Sequence, residues 1–475
     1  MPSTLHISRC LLTPTPKLLL GGLLILLPLA SPALAAGMNC AQAKTPTELA
    51  ICANADLLRQ DSDLSDAYAK LGAARPDGRA ALRDEQRDWL RTRNRCGGNT
   101  DCIRDQTLLR LSALQDGLRR ANAYVPDETD RQALEDLRQA VQTASQTDAE
   151  FPLESTLAAL SVKTGKTRFD NVRSDDDDEA KFPTKRPNGV SQEEWAAMLA
   201  SGIESGGENG VASYTLMDLD GDGLRDVVID SYTGGTGLFS DVSALRRDKG
   251  KFTATAGDSN RESASGLYTL NGRGSNQAAD WITLRGRVYA AYRNSRYGAD
   301  DVYLLRPFRD PGDAPTLTVR YRYQLSIPKQ QKRADKEPAR TLDDSLHAAL
   351  AQALTRIDPE TAQGPAAARE PGAPARPLCP IPAGVKADDQ DAYYHYGPGH
   401  YSIEIVADFP VQVGARCHLG RLIDWFGSYD AKSGLSALMW LRDPAPNGKE
   451  DEFQVEGRRH AVRLETSLRP MFSGD

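Results

Sequence analysis

Four cysteines in two close-set pairs, Cys40/Cys52 and Cys96/Cys102, constrain this chain more than any other feature. Two helical patterns lie between the pairs. The first opens Thr45-Pro46-Thr47-Glu48. Thr45 can cap, Pro46 suits the first helical position, and Glu48 can return to the cap as a capping box. Leu57, Leu64, Tyr68 and Leu71 follow at helical spacing and give one apolar face. Arg75-Pro76-Asp77-Gly78 reads as a turn. The second pattern sets Leu82, Gln86, Trp89, Leu90 and Arg93 on one face, and Cys96-Gly97-Gly98-Asn99 stops it. Ile103, Thr107, Leu111, Leu114 and Leu118 then predict a third helix. The expectation is a small helical module tied by disulfides.

This stretch resembles the LprI-like lysozyme-inhibitor domain of bacterial envelope proteins. The resemblance rests on Cys40, Glu48-Leu49-Ala50-Ile51-Cys52, Asp63-Leu64-Ser65-Asp66-Ala67-Tyr68, and Leu82-Arg83-Asp84-Glu85-Gln86-Arg87-Asp88-Trp89-Leu90 ahead of Cys96 and Cys102. It covers a minor part of the 475 residues. It implies a helical fold, an extracytoplasmic address and inhibition of lysozyme.

The chain start reads as a targeting signal over residues 1–36. Arg9 and Lys17 precede an apolar run from Leu18 to Ala30, and Ala33-Leu34-Ala35 is a small-residue cleavage site. The apolar run is short for a membrane span. Gly37-Met38-Asn39 ahead of Cys40 is no lipoprotein box, so no membrane anchor is expected after cleavage. Cleavage removes Cys10 and leaves six cysteines. Export with an even count predicts three disulfides, with zinc binding as the rival use. Cys40–Cys52 with Cys96–Cys102 is one pairing. Cys52–Cys96 with Cys40–Cys102 is equally reachable across a hairpin of helices. Cys379 and Cys417 make the third bond. The expected location is the periplasm or the exterior. The net charge of −7 becomes −9 once Arg9 and Lys17 are gone, which argues against nucleic acid as a partner.

The chain as a whole reads as an α+β multidomain protein. A disulfide-tied helical module (37–122) precedes a helical and polar connector (123–210), with a polar helix near 127–147, a short helix near 153–162, and an acidic run, Ser174-Asp175-Asp176-Asp177-Asp178-Glu179. That run reads as a solvated loop, with docking of a basic partner as the alternative. Val190-Ser191-Gln192-Glu193-Glu194-Trp195 is a second capping box with a Val190/Trp195 staple, opening a helix to Ser201. From Ala212 the period becomes two. Tyr214–Met217, Val227–Ile229, Trp281–Leu284, Val288–Tyr292, Val302–Leu305 and Leu317–Leu325 predict mostly antiparallel strands in a β-rich domain over 211–340. Leu342, Leu346, Leu350, Leu354 and Ile357 mark a helix (341–358). A Pro/Ala-rich linker (359–382) leads to a last β-rich unit (383–475), where Tyr401/Ile403/Ile405 and Val462/Leu464 alternate.

The sharpest candidate for chemistry is Asp218-Leu219-Asp220-Gly221-Asp222-Gly223-Leu224-Arg225-Asp226. Calcium seeks six to eight oxygens, and carboxylates at alternate positions of a Gly-bearing loop can converge on it. The predicted ligands are Asp218, Asp220, Asp222, the Leu224 carbonyl and Asp226. An EF-hand needs Glu eleven residues after Asp218, where Ile229 stands, and the flanks read as strands. The loop resembles the hairpin calcium loops of integrin-type and related Asp-repeat proteins, present here once. The competing reading is a polar turn whose carboxylates bind their own backbone. Thr233-Gly234-Gly235-Thr236-Gly237 lacks the helix start and lysine of a phosphate cradle and reads as a tight turn.

Tyr393-Tyr394-His395-Tyr396-Gly397-Pro398-Gly399-His400-Tyr401 is the most aromatic stretch. Tyr393, Tyr394, His395, Tyr396, His400 and Tyr401 are a candidate ligand surface for glycan stacking. A metal reading joins His395 and His400 to Glu404. The bland reading is a hairpin tip whose rings cover a core. Arg79, Arg83, Arg87 and Arg91 beside Asp84 and Asp88 read as a solvated helix face. There is no Gly-x-Ser-x-Gly elbow and no His-Glu-x-x-His helix.

The leading functional reading is an exported, non-enzymatic envelope protein that binds lysozyme or peptidoglycan and is stabilised by disulfides and one calcium ion. The alternatives are a structural, glycan-binding envelope protein without inhibitory activity, and a cell-wall glycan hydrolase. Residues Cys40 to Asn122 carry 14 basic and 12 acidic side chains, so this stretch supplies no acidic field to steer a basic lysozyme.

Overall fold

The computed structural model describes residues 37–470, apart from 174–177, 204–206, 254–265, 273–275, 310–311, 332–338, 361, 363, 365–375, 399–403, 431, 433 and 446, and the side chains of 425–428. The expected signal segment, residues 174–177 of the acidic run, much of the Pro/Ala-rich stretch, His400 and Tyr401 lie outside the described residues. The chain divides into two compact units after Leu118.

The first unit is helical. In α1 (Pro46–Ala53) the Thr45 hydroxyl accepts from the Glu48 amide, and the Glu48 carboxylate accepts from the Thr45 amide. The single helix expected up to Leu71 is broken at Asn54. This residue is extended, and its side chain accepts from the amides of Asp56 and Leu57, so it caps α2 (Ala55–Ala74). Asparagine is among the strongest N-caps, and here it outweighs a continuous apolar pattern. A short 3-10 turn at Pro76–Gly78 leads into α3 (Arg79–Asn94). Asn99 accepts from the Asp101 and Cys102 amides at the start of α4 (Thr100–Asn122). The disulfides are the local pair, Cys40–Cys52 and Cys96–Cys102; the crossed set does not form. Ile51, Leu57 and Ile103 form one buried cluster, and Leu64, Leu71, Leu82 and Leu114 are also buried. At Gly117 a Cβ would come within 2.9 Å of Leu71 Cδ2, so α2 and α4 approach closely there.

The second unit is layered. Strands β1 (Thr167–Asp170), β2 (Ala212–Met217), β3 (Asp226–Gly234), β4 (Phe239–Asp248) and β5 (Lys251–Thr253) follow one another in an antiparallel sheet, with β6 (Tyr268–Asn271) also on β4. A larger sheet has the order β13-β14-β15-β16-β10-β9-β8-β7. Its strands are β7 (Gln277–Leu284), β8 (Arg287–Arg296), β9 (Ala299–Leu305), β10 (Asp313–Ser326), β13 (Glu404–Val413), β14 (Arg416–Asp430), β15 (Gly434–Arg442) and β16 (Glu450–Pro470). The short strands β11 (Gln330–Gln331) and β12 (Arg340–Thr341) pair separately.

Alternation along these strands assigns the layers. Tyr289 and Ala291 of β8, with Val302 and Leu304 of β9, face a core shared with α5 (Glu128–Ala144), α6 (Pro152–Leu160) and α8 (Asp344–Leu354). Ala290, Tyr292, Tyr303 and Leu305 point the other way, onto Val228, Val242 and Tyr268 of the smaller sheet. The far face of that sheet, with Tyr214, Leu216, Val227 and Ile229, is covered by Trp195, Ala197 and Met198 of α7 (Gln192–Ser201).

Two expectations change. The β-rich parts read as 211–340 and 383–475 are not divided by the linker, because β10 pairs with β16 over the register Asp313↔Pro470 to Ser326↔Glu456. Antiparallel pairing between strands so distant in sequence leaves no local signature. The helix read as polar buries Ala133, Leu134, Leu137 and Val141, one stripe of a helix otherwise charged.

Candidate functional site

The first unit is organised around a buried ion pair. Arg93 Nη1 donates to Asp61 Oδ1 at 2.9 Å, and Asp61 Oδ2 accepts from the Met38 amide at 2.9 Å. The Arg93 guanidinium also lies 4.9 Å from the Trp89 ring centre, and the Trp89 indole donates to the Gln106 carbonyl. Thr47 Oγ1 donates to the Gly97 carbonyl, joining α1 to the turn closed by Cys96–Cys102. The sequence carried the signal for this pair. An arginine on an apolar helix face needs an acid to be buried, and Asp61 supplies it from α2. The arginine stripe of α3 is exposed, with local ion pairs Arg87–Asp84 and Arg91–Asp88.

The Asp-rich loop joins β2 to β3. Oxygens of Asp218, Asp220 and Asp222 lie within 4.8 Å of one another, close enough to share a cation. The same oxygens also serve the loop itself. Asp218 accepts from the amides of Gly221 and Gly223, Asp220 from that of Asp222, and Asp222 from that of Leu224. Arg246 Nε holds Asp220 Oδ2 at 2.6 Å. Gly221 and Gly223 take φ of 81° and 86°, which side-chain-bearing residues rarely adopt. Asp226 is fully buried and stands apart from the three converging acids. Its carboxylate accepts from the Leu219 and Arg247 amides at 2.9 and 2.8 Å. Burial pushes the Asp226 carboxyl up to about 6, and Asp220 and Asp222 push the same way against those two amides. Leu224, the expected carbonyl ligand, has an exposed side chain.

Next to this loop, Arg225 joins the smaller sheet to α7. Its Nε and Nη2 donate to Glu194 at 2.7 and 2.6 Å, while Glu194 also closes the capping box with Ser191. Burial opposes ionisation of Glu194, yet Arg225 and the Ser191 amide hold its carboxyl below the ordinary value.

The Tyr-rich stretch begins at the last residue of a short 3-10 helix, Ala387–Tyr393, and runs on through a turn at Tyr394 and irregular chain to Pro398. Tyr393 and Tyr396 are buried with Cys379 and Leu419, and the Cys379–Cys417 disulfide ties this cluster to β14. The Tyr396 hydroxyl bonds Glu450, and the ring lies 5.0 Å from the Arg421 guanidinium and 4.6 Å from that of Arg442. Both rings are committed to the interior beside the disulfide, and the two arginines flank Tyr396. Tyr394 is half-buried and His395 exposed. His395 Nε2 sits 3.5 Å from Asp391, and Glu404 accepts from the Tyr297 amide at 2.9 Å, so His395 and Glu404 serve different partners.

Among the described residues no helix is long and apolar enough to cross a membrane. No curated protein and no solved structure matches the chain. Residues 38–117, the disulfide-tied helices built on Asp61 and Arg93, match the model of the family described as Lysozyme inhibitor LprI.

Proposed function

We propose that the protein is an exported, non-catalytic envelope protein whose first unit binds lysozyme and blocks its cleft. The observation that carries this reading is the family match over 38–117, coincident with the disulfide-tied helical unit. Lysozyme cleaves with two carboxylates flanking the scissile bond, so a rigid protein surface that fills the cleft stops turnover without any bond chemistry. Two disulfides and a buried ion pair give such rigidity and reduce the entropy lost on docking. Three disulfides fit an oxidising compartment, which supports export. The modest positive balance of the stretch Cys40 to Asn122 predicts association with basic lysozymes at an unsteered rate.

Calcium at Asp218, Asp220 and Asp222 is part of the proposal as a structural ion. It would replace the Arg246 contact to Asp220 and stiffen the β2–β3 turn. The test of the main reading is lysozyme activity on cell walls titrated with the protein. Stoichiometric inhibition is expected, and loss of activity without complex formation would argue against it.

A further inference from the structure

The two sides of α4 differ. Ile103, Thr107, Leu114 and Gly117 are buried. Leu108, Leu109 and Ser112 lie three, four and seven residues after Asp105, so these four share the opposite face, with Asp101 a turn before and Asp116 a turn after. Leu108 is 45% and Leu109 68% exposed. An amphipathic helix ordinarily sets polar residues on such a face. Two adjacent leucines rimmed by carboxylates have the make-up of a protein-binding patch, apolar at the centre and polar at the edge.

The backbone under this patch is fixed. The Cys96–Cys102 disulfide and the Asn99 cap hold the start of α4. The Gln106 carbonyl accepts from the Trp89 indole, and Arg110 Nε donates to Gln86 Oε1 at 3.0 Å, both partners belonging to α3. Leu108 and Leu109 lie between these two anchors in sequence, so docking would order little more of the chain.

The charges select the partner. Asp101 pairs with Arg104 at 2.6 Å, and an acid in the first turn is favoured by the helix itself. Asp105 lies beyond the first turn, is exposed, and makes no ion pair among the described residues. Arg110 is turned inward, its side chain 13% exposed. The outer face of α4 is therefore acidic, although the unit as a whole is not, whereas the exposed face of α3 carries Arg79, Arg83, Arg87 and Arg91. A second copy of the chain meeting this patch by two-fold symmetry would set acids against acids. A basic protein instead sets cations against Asp105 and apolar surface against the leucines.

We propose that the outer face of α4, centred on Leu108 and Leu109 with Asp105 at its rim, is the surface that contacts lysozyme. The proposal rests on the lysozyme-binding role of the first unit and names the surface that performs it. The slight positive balance of the unit gives no long-range attraction, so these acids act at contact distance.

The test is the affinity of the full mature chain for a basic animal lysozyme, measured by calorimetry at low and high salt. Leu109→Arg sets a cation against a basic partner and should weaken binding at least about tenfold. Asp105→Lys should weaken it less and make the affinity less sensitive to salt. Arg83→Gln, on α3, should leave it unchanged. Arginine and lysine are good helix formers, and circular dichroism checks that each variant is folded. If Leu109→Arg is not folded, Asp105→Lys decides. Full-strength binding by folded Leu109→Arg and Asp105→Lys overturns the proposal and leaves the lysozyme-binding role standing. Absence of binding by the unaltered chain overturns both. Self-association that Leu109→Arg abolishes, with lysozyme affinity unchanged, also overturns the proposal and assigns the patch to a second copy.

Discussion

Arg93 and Asp61 meet at 2.9 Å across 32 residues of sequence, with both side chains buried. Three helices depend on this contact, since Asp61 is on α2, Arg93 on α3, and the Trp89 ring beside Arg93 donates its N–H to α4. Removing one member leaves the other charge buried and unpaired, which costs about 3–5 kcal/mol. Arg93→Ala should lower the stability of the first unit by that amount in chemical unfolding. The double change Asp61→Leu with Arg93→Met should recover most of it. A single-variant cost below about 1 kcal/mol, the range of surface pairs, would contradict the assignment.

The second unit has its own buried arginine. Arg459 on β16 donates to Glu154 of α6 at 2.7 Å, lies 3.5 Å from Asp300 of β9, and sits 4.1 Å from the Tyr321 ring and 4.5 Å from that of Tyr429. Arg459→Met keeps much of the volume and strands the Asp300 carboxylate. A loss of about 3–5 kcal/mol is expected in the unfolding of the second unit. Asp300→Asn in the same chain should relieve part of it.

Asp226 predicts a pH dependence of stability. Its folded carboxyl is raised to about 6 from an ordinary 3.8, with burial as the main cause. Between those values the folded chain keeps a proton that the unfolded chain has released. The stabilising contribution is therefore complete below the unfolded value and is lost as pH rises through about 6. Unfolding measured in chelator across this window should show that slope from Asp226, and Asp226→Asn should remove it. Identical slopes in the two proteins would contradict the burial argument.

Calcium binding has a thermal signature. A ligand that binds only the folded state adds about 2.7 kcal/mol at a hundredfold excess over its Kd. Adding calcium should raise the Tm of the second unit, and Asp220→Asn with Asp222→Asn should abolish the rise. Arg246→Gln should enlarge it, because Arg246 already holds Asp220 and would compete with the proposed ion for it. A full rise in the double variant would place the ion elsewhere.

What the sequence made legible was local. Both capping boxes, at Thr45/Glu48 and Ser191/Glu194, are built as their spacing predicts. Helix caps are legible because donor and acceptor lie three residues apart. The break at Asn54 was missed because the apolar spacing of Leu57, Leu64 and Leu71 continues the register of a helix that a cap had already interrupted. Strand positions in 214–325 were legible from alternation, but not the partners. The β10–β16 pairing depends on contacts between segments separated by more than a hundred residues. For Tyr393 and Tyr396 the sequence leaves two readings, a ligand surface and rings that cover a core, and both side chains are buried. The residues that bury them, Cys379, Leu419, Arg421 and Arg442, come from elsewhere in the chain.

The most direct test of lysozyme binding is a cell-wall turnover assay titrated with the full mature chain and with its Arg93→Ala variant. Inhibition that saturates at one equivalent, and weakens with Arg93→Ala in step with the loss of folded first unit, is the predicted result. Unchanged lysozyme turnover at saturating folded protein, with no complex on size-exclusion chromatography, would contradict it and leave the resemblance over 38–117 as one of fold.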